Sequence, residues 1–120
     1  MAAKREDWKS LPMPAATARL SLERAYSNEE FLRISQGSIP RKMEDKWFIY
    51  FDDSWLFFHR SWTGFCIFRA RFEHTGEKYV LAEAWVNCDG SQYRGNGDDY
   101  DARLLGNLLD RGAGRDTRSR

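Results

Sequence analysis

Between Lys46 and Cys88 the chain is an almost unbroken succession of β-branched and aromatic residues, interrupted three times by turn formers: Asp52-Asp53, Ser61 to Gly64, and Thr75-Gly76. Few folds accommodate such a stretch. It predicts four antiparallel strands over about 46–51, 54–60, 65–73 and 78–87, joined as a meander. The alternation in Arg19-Leu20-Ser21-Leu22 adds a short strand at the sheet edge.

Helix signals flank the meander. Ser27-Asn28-Glu29-Glu30 has the form of a capping box, in which a hydroxyl and a carboxylate each satisfy an orphan backbone donor. A helix over about 28–36 follows, with Phe31, Leu32 and Ile34 as its apolar stripe and Gly37 as its stop. Asp98 and Asp99 cap a second helix over about 99–110, whose stripe is Tyr100, Leu104, Leu105, Leu108 and Leu109. The fold class is therefore α+β, a four- to five-stranded antiparallel β-meander with two packing helices. Residues 1–17 read as a flexible leader, 18–110 as one domain, and 111–120 as a disordered basic tail, because neither end has a period that could seat it on a core.

If each turn pairs its flanking residues directly, the period of two along a strand divides the side chains between two faces. One face carries Trp47, Ile49, Phe51, Leu56, Phe58, Ile67 and the small residues Ala82 and Ala84, with Arg60, Arg69 and Arg71 toward its edge. Small residues leave room there for the helices. The other carries Phe48, Tyr50, Trp55, Phe57, His59, Cys66, Phe68, Phe72, Tyr79, Leu81, Glu83 and Trp85. With five Trp, five Tyr and eight Phe in 120 residues, aromatic rings must fill much of the core.

Nineteen basic and eighteen acidic residues leave a net charge of +1, so no whole-molecule field draws the chain to nucleic acid or to an anionic membrane. The apolar runs are too short to span a bilayer, and the first residues lack the apolar stretch of a secretion signal. A soluble, cytoplasmic protein is expected. Two cysteines cannot close a four-thiolate zinc site, and no Cys or His pair has the close spacing of known sites. No metal and no cofactor are called for.

The string His59-Arg60-Ser61-Trp62-Thr63-Gly64 concentrates polar groups beside aromatics. His59 has the side chain suited to general acid or base work, although a histidine bonded to its own turn, with Ser61, Thr63 and Gly64 shaping that turn, is the simpler account. Cys66 and Glu83 would share the His59 face, as a histidine-activated thiolate requires; packing explains a strand cysteine more economically. Arg60, Arg69 and Arg71 with His59 form a possible cationic strip for phosphate, with Trp62 or Tyr50 for stacking, against the simpler view that Glu73, Glu77 and Glu83 pair with them. Asp89, Asp98, Asp99 and Asp101 surround a Gly-rich loop and could hold a hard cation, but acids at a helix start need none. Gly95-Asn96-Gly97 is not a phosphate-binding motif.

The two strings running from Ile39-Pro40-Arg41-Lys42-Met43-Glu44-Asp45-Lys46-Trp47-Phe48-Ile49-Tyr50 to Trp55-Leu56-Phe57-Phe58-His59-Arg60-Ser61-Trp62-Thr63-Gly64 resemble a family of short uncharacterised bacterial proteins, over roughly residues 18–110. The resemblance implies a stand-alone meander associated with macrodomain-type or ADP-ribosylglycohydrolase-type proteins, and it supplies no catalytic residue. The first expectation is accordingly a non-enzymatic module that binds a protein partner or itself through the aromatic face or the strand edge. The alternative is a nucleotide-like or ADP-ribose-like ligand held at His59, Arg60, Ser61, Trp62, Thr63, Glu83, Arg69 and Arg71, and a further alternative is single-stranded nucleic acid.

Overall fold

The computed structural model describes residues 2–95 and 97–115. After a 3-10 turn at Arg5–Asp7, the elements run β1 (Thr17–Leu20), β2 (Ala25–Ser27), α1 (Asn28–Ser35), β3 (Trp47–Asp52), β4 (Trp55–Arg60), β5 (Cys66–Thr75), β6 (Lys78–Asn87) and α2 (Asp98–Gly112). The expected meander is present as β3 to β6, and the fold is α+β. β1 and β2 both pair antiparallel with β6, so six strands occupy five positions in the order β1-β6-β5-β4-β3.

Local chemistry accounts for the element ends. The Ser27 hydroxyl accepts the Glu30 amide at 3.1 Å, and the Glu30 carboxylate accepts the Ser27 amide at 3.0 Å, closing the capping box of α1. Asp53 and Ser54 both have positive φ, which gives the β3–β4 hairpin the primed two-residue turn that matches strand twist. Gly97, not an aspartate, occupies the N-cap of α2; Asp98, Asp99 and Asp101 fill its first turn, where carboxylates favour the helix dipole.

Two β-bulges correct the expected division of faces. The β4–β5 register passes from Phe58↔Phe68 to His59↔Cys66, leaving Ile67 extra; the β5–β6 register passes from Arg71↔Glu83 to Phe72↔Leu81, leaving Ala82 extra. Each bulge reverses the alternation. Phe68, Phe72, Tyr79 and Leu81 therefore pack toward the helices with Leu56, Phe58, Phe31 and Leu105. Arg69 and Arg71 move to the opposite side, opposite Trp85 and Glu83. Beyond the second bulge the original assignment is restored, so His59 and Glu83 share a face. The first bulge lets Ile67 and Phe68, both 0% exposed, reach the same core.

Residues 2–14, read from sequence as a leader without a core-seating period, lie along this second face. Ala3 is buried with Phe48 and Tyr50, and Trp8 packs against them. The Ala3 amide donates to Gln36 O at 2.8 Å and the Leu11 amide to Gly64 O at 2.8 Å. Single side chains and backbone bonds make this contact, so no periodic pattern announces it. At the other end α2 continues to Gly112, Ala113 is buried, and Arg115 pairs with Glu30 at 2.7 Å. Residues 116–120 of the expected tail lie outside the described residues. No described helix is long and apolar enough to cross a membrane.

Candidate functional site

The residues singled out from the sequence fall into three places. Ser61, Trp62 and Thr63 form a structural hub. The buried Ser61 hydroxyl donates to Asp45 O at 2.7 Å, its carbonyl accepts the Trp8 indole N–H at 2.7 Å, and the exposed Trp62 indole donates to Met43 O at 3.2 Å. The Thr63 hydroxyl accepts the Phe65 amide at 3.2 Å. This turn ties the leader and the loop before β3 to the end of β4.

The second place is the leader-side sheet face. There His59 is buried with Nδ1 2.9 Å from Gly64 O, and Cys66 lies opposite it. Burial pushes the Cys66 thiol up to about 12, so at neutral pH it carries its proton. Glu83 lies further along this face, opposite Arg71. Its carboxylate accepts the Trp85 indole N–H at 2.8 Å and the Arg71 guanidinium at 2.7 Å, and these bonds hold its pKa down. A paired Glu83 and a protonated Cys66 do not form a nucleophile–base set with His59. Arg69 lies between two indoles, its guanidinium carbon 4.8 Å from the Trp55 ring and 5.7 Å from the Trp85 ring. The expected cationic strip is thus divided: Arg71 is paired, Arg69 is sandwiched, and Arg60 points to the other side.

Arg60 belongs to the third place, a groove of about 1140 Å³ on the helix side, bounded by the C-terminal part of α1, the segment from Gly37 to Trp47, and α2. Its guanidinium carbon lies 4.4 Å from the Trp47 ring. Arg33, Arg41, Lys46 and Arg111 line the same groove, against the two carboxylates Glu44 and Asp45. The Asp45 carboxylate accepts the Arg41 amide at 3.0 Å within the loop. Among the described residues none of these five cations has a carboxylate partner, whereas Arg5, Arg24, Arg71 and Arg115 each do. Trp47 and the half-exposed Tyr100 add aromatic surface.

Arg33, Arg41, Lys46, Tyr100 and Arg111 escaped sequence reasoning because they come from a helix, a loop and a second helix far apart in the chain. Only the loop string Arg41-Lys42 carried a local signal. Two of the four aspartates around the Gly-rich loop have structural partners: Asp89 bonds Ser91, and the buried Asp101 accepts the Tyr93 hydroxyl at 2.7 Å, while Asp98 and Asp99 sit in the first turn of α2. Among the described residues no three of His, Cys, Asp and Glu converge as metal ligands would. Comparison of the chain with protein-family models, curated proteins and solved structures finds no match.

Proposed function

We propose that the protein is a binding module for a small anionic ligand bearing a flat ring, of the nucleotide-like class, held in the helix-side groove. The carrying observation is the gathering of cations: Arg33, Arg41, Lys46, Arg60 and Arg111, drawn from both helices, a loop and a strand end, surround one groove without carboxylate partners among the described residues. Guanidinium groups match phosphate oxygens bidentately, and Tyr100 and Trp47 offer faces on which a base can stack. A reducing, cytoplasmic setting suits the two free thiols.

Calorimetric titration with ADP over a salt series tests this reading. Binding is expected to weaken as salt rises, and adenosine, which has the ring without the charge, is expected to bind far more weakly. Arg41→Glu and Arg111→Glu, at exposed positions, should each weaken ADP roughly tenfold or more, the worth of one charge-assisted hydrogen bond, with unchanged circular dichroism. Equal binding of adenosine and ADP, or no binding of either, contradicts the proposal.

A second reading, engagement of a protein partner by the sheet face, is favoured by one observation. The leader covers Phe48 and Tyr50 but leaves Trp55 and Trp85 partly exposed on either side of Arg69, and Trp and Arg are the residues on which interfaces most depend. Sedimentation of the wild type and of Trp85→Ala tests the self-association arm: a dimer lost in the variant supports it, and two monomers oppose it.

A further inference from the structure

Beneath the leader lies a separate cavity of about 510 Å³, walled on one side by the sheet residues Tyr50, Phe57, His59, Cys66 and Arg69 and on the other by Arg5 and the segment 10–13. Its volume is within the range of small-molecule sites. Among the described residues two buried side-chain polar atoms lack any hydrogen-bond partner, His59 Nε2 and Arg69 Nε, and both residues line this cavity. An unpaired buried polar group is destabilising, the more so if charged. Two in one cavity therefore call for a shared explanation.

Each atom states what it lacks. Gly64 O can only accept, so His59 Nδ1 carries the ring proton and Nε2 presents a lone pair. Burial disfavours the charged imidazole and keeps that lone pair available. Arg69 is a donor and a cation. The carboxylate of Glu83 is engaged by Arg71 and Trp85, and no carboxylate lines the cavity, which Arg5 makes still more cationic. Phe57, Leu11, Pro12 and Met13 give the wall apolar surface, and Ser10 and Tyr50, whose hydroxyl accepts the Arg5 Nε–H, complete it.

We propose that this cavity is a second binding site, distinct from the helix-side groove, for a small carboxylate that carries a hydroxyl on an apolar body: the carboxylate meets Arg69, the hydroxyl donates to His59 Nε2, and the body lies on Phe57. The leader forms the outer wall, so occupancy ties residues 10–13 more firmly to the sheet.

The test uses 4-hydroxybenzoate, benzoate and 4-hydroxybenzamide as probes of the full chain, followed by the 15N resonance of His59 Nε2. The hydroxy acid should saturate and shift Nε2. Benzoate lacks the donor and 4-hydroxybenzamide lacks the charge, so each should bind at least tenfold more weakly. His59→Phe should abolish discrimination between the two acids, and Met13→Trp, which fills the cavity from the leader side and leaves the sheet residues unaltered, should block binding while retaining the native spectrum. Arg41→Glu should bind the hydroxy acid like the wild type, which separates this site from the groove. Equal affinity for all three probes, or ordered water alone in the cavity of crystals soaked with the hydroxy acid, overturns the proposal.

Discussion

The imidazole of His59 lies nearly parallel to the ring of Tyr50, with centroids 5.6 Å apart and planes at 12°, while its Nδ1 proton is held by Gly64 O. Burial pulls its pKa below the ordinary 6.5. The unfolded chain therefore binds a proton more readily than the native one. Stability contributed by the neutral imidazole is complete above 6.5 and declines as pH falls from there toward the lowered native value. Urea midpoints of the wild type should drop between about pH 7.5 and about pH 5.5, and His59→Gln should drop less over the same interval. Parallel pH profiles for the two proteins would contradict the assignment.

Gly37 closes α1 with φ of +71°, and a Cβ there would overlap the carbonyl oxygen of Ile49, which accepts the Ser38 amide at 2.9 Å. Gly37→Ala combines left-handed strain with loss of that bridge. It should cost on the order of 3 kcal/mol in denaturant unfolding. An unchanged midpoint would show that the α1–β3 connection is not held in this way.

Ser27→Ala removes one half of the capping box and should cost about 1 kcal/mol. Ser27→Asp, which can still accept the Glu30 amide, should restore most of that loss. The comparison by thermal unfolding isolates the hydrogen bond from the side-chain volume.

Cys88 is exposed and Cys66 buried, with the Cys66 thiol raised to about 12. Native protein titrated with a thiol reagent at neutral pH should release one equivalent quickly and the second only on unfolding. Rapid reaction of both thiols would mean that the leader does not shield the Cys66 side of the sheet.

The strands, both helices and the capping box were legible because each has a short-range signature: turn formers between β-rich runs, an apolar stripe, Ser27 three residues before Glu30. Face assignment needs something the sequence does not spell out. A bulge is one extra residue among many good β-formers, and nothing in Cys66-Ile67-Phe68 or Leu81-Ala82-Glu83 marks Ile67 or Ala82 as that residue. Simple alternation puts His59 and Glu83 on one face, where they lie, because the two reversals cancel, but it puts Arg69 and Arg71, between the bulges, on the wrong one. Even so, Glu83 pairs with Arg71, away from His59. The candidate groove was less legible again, since Arg33, Arg60 and Arg111 meet only through tertiary packing.

The placement of the nucleotide-like ligand in the helix-side groove is the proposal on which the rest depends. Its most direct test follows the indole N–H resonances of the five tryptophans while ADP is added. Trp47, which lines the groove beneath Arg60, should shift with saturation, and Trp55 and Trp85 on the opposite sheet face should stay in place. A titration that moves Trp55 and Trp85 and leaves Trp47 unmoved would contradict the account.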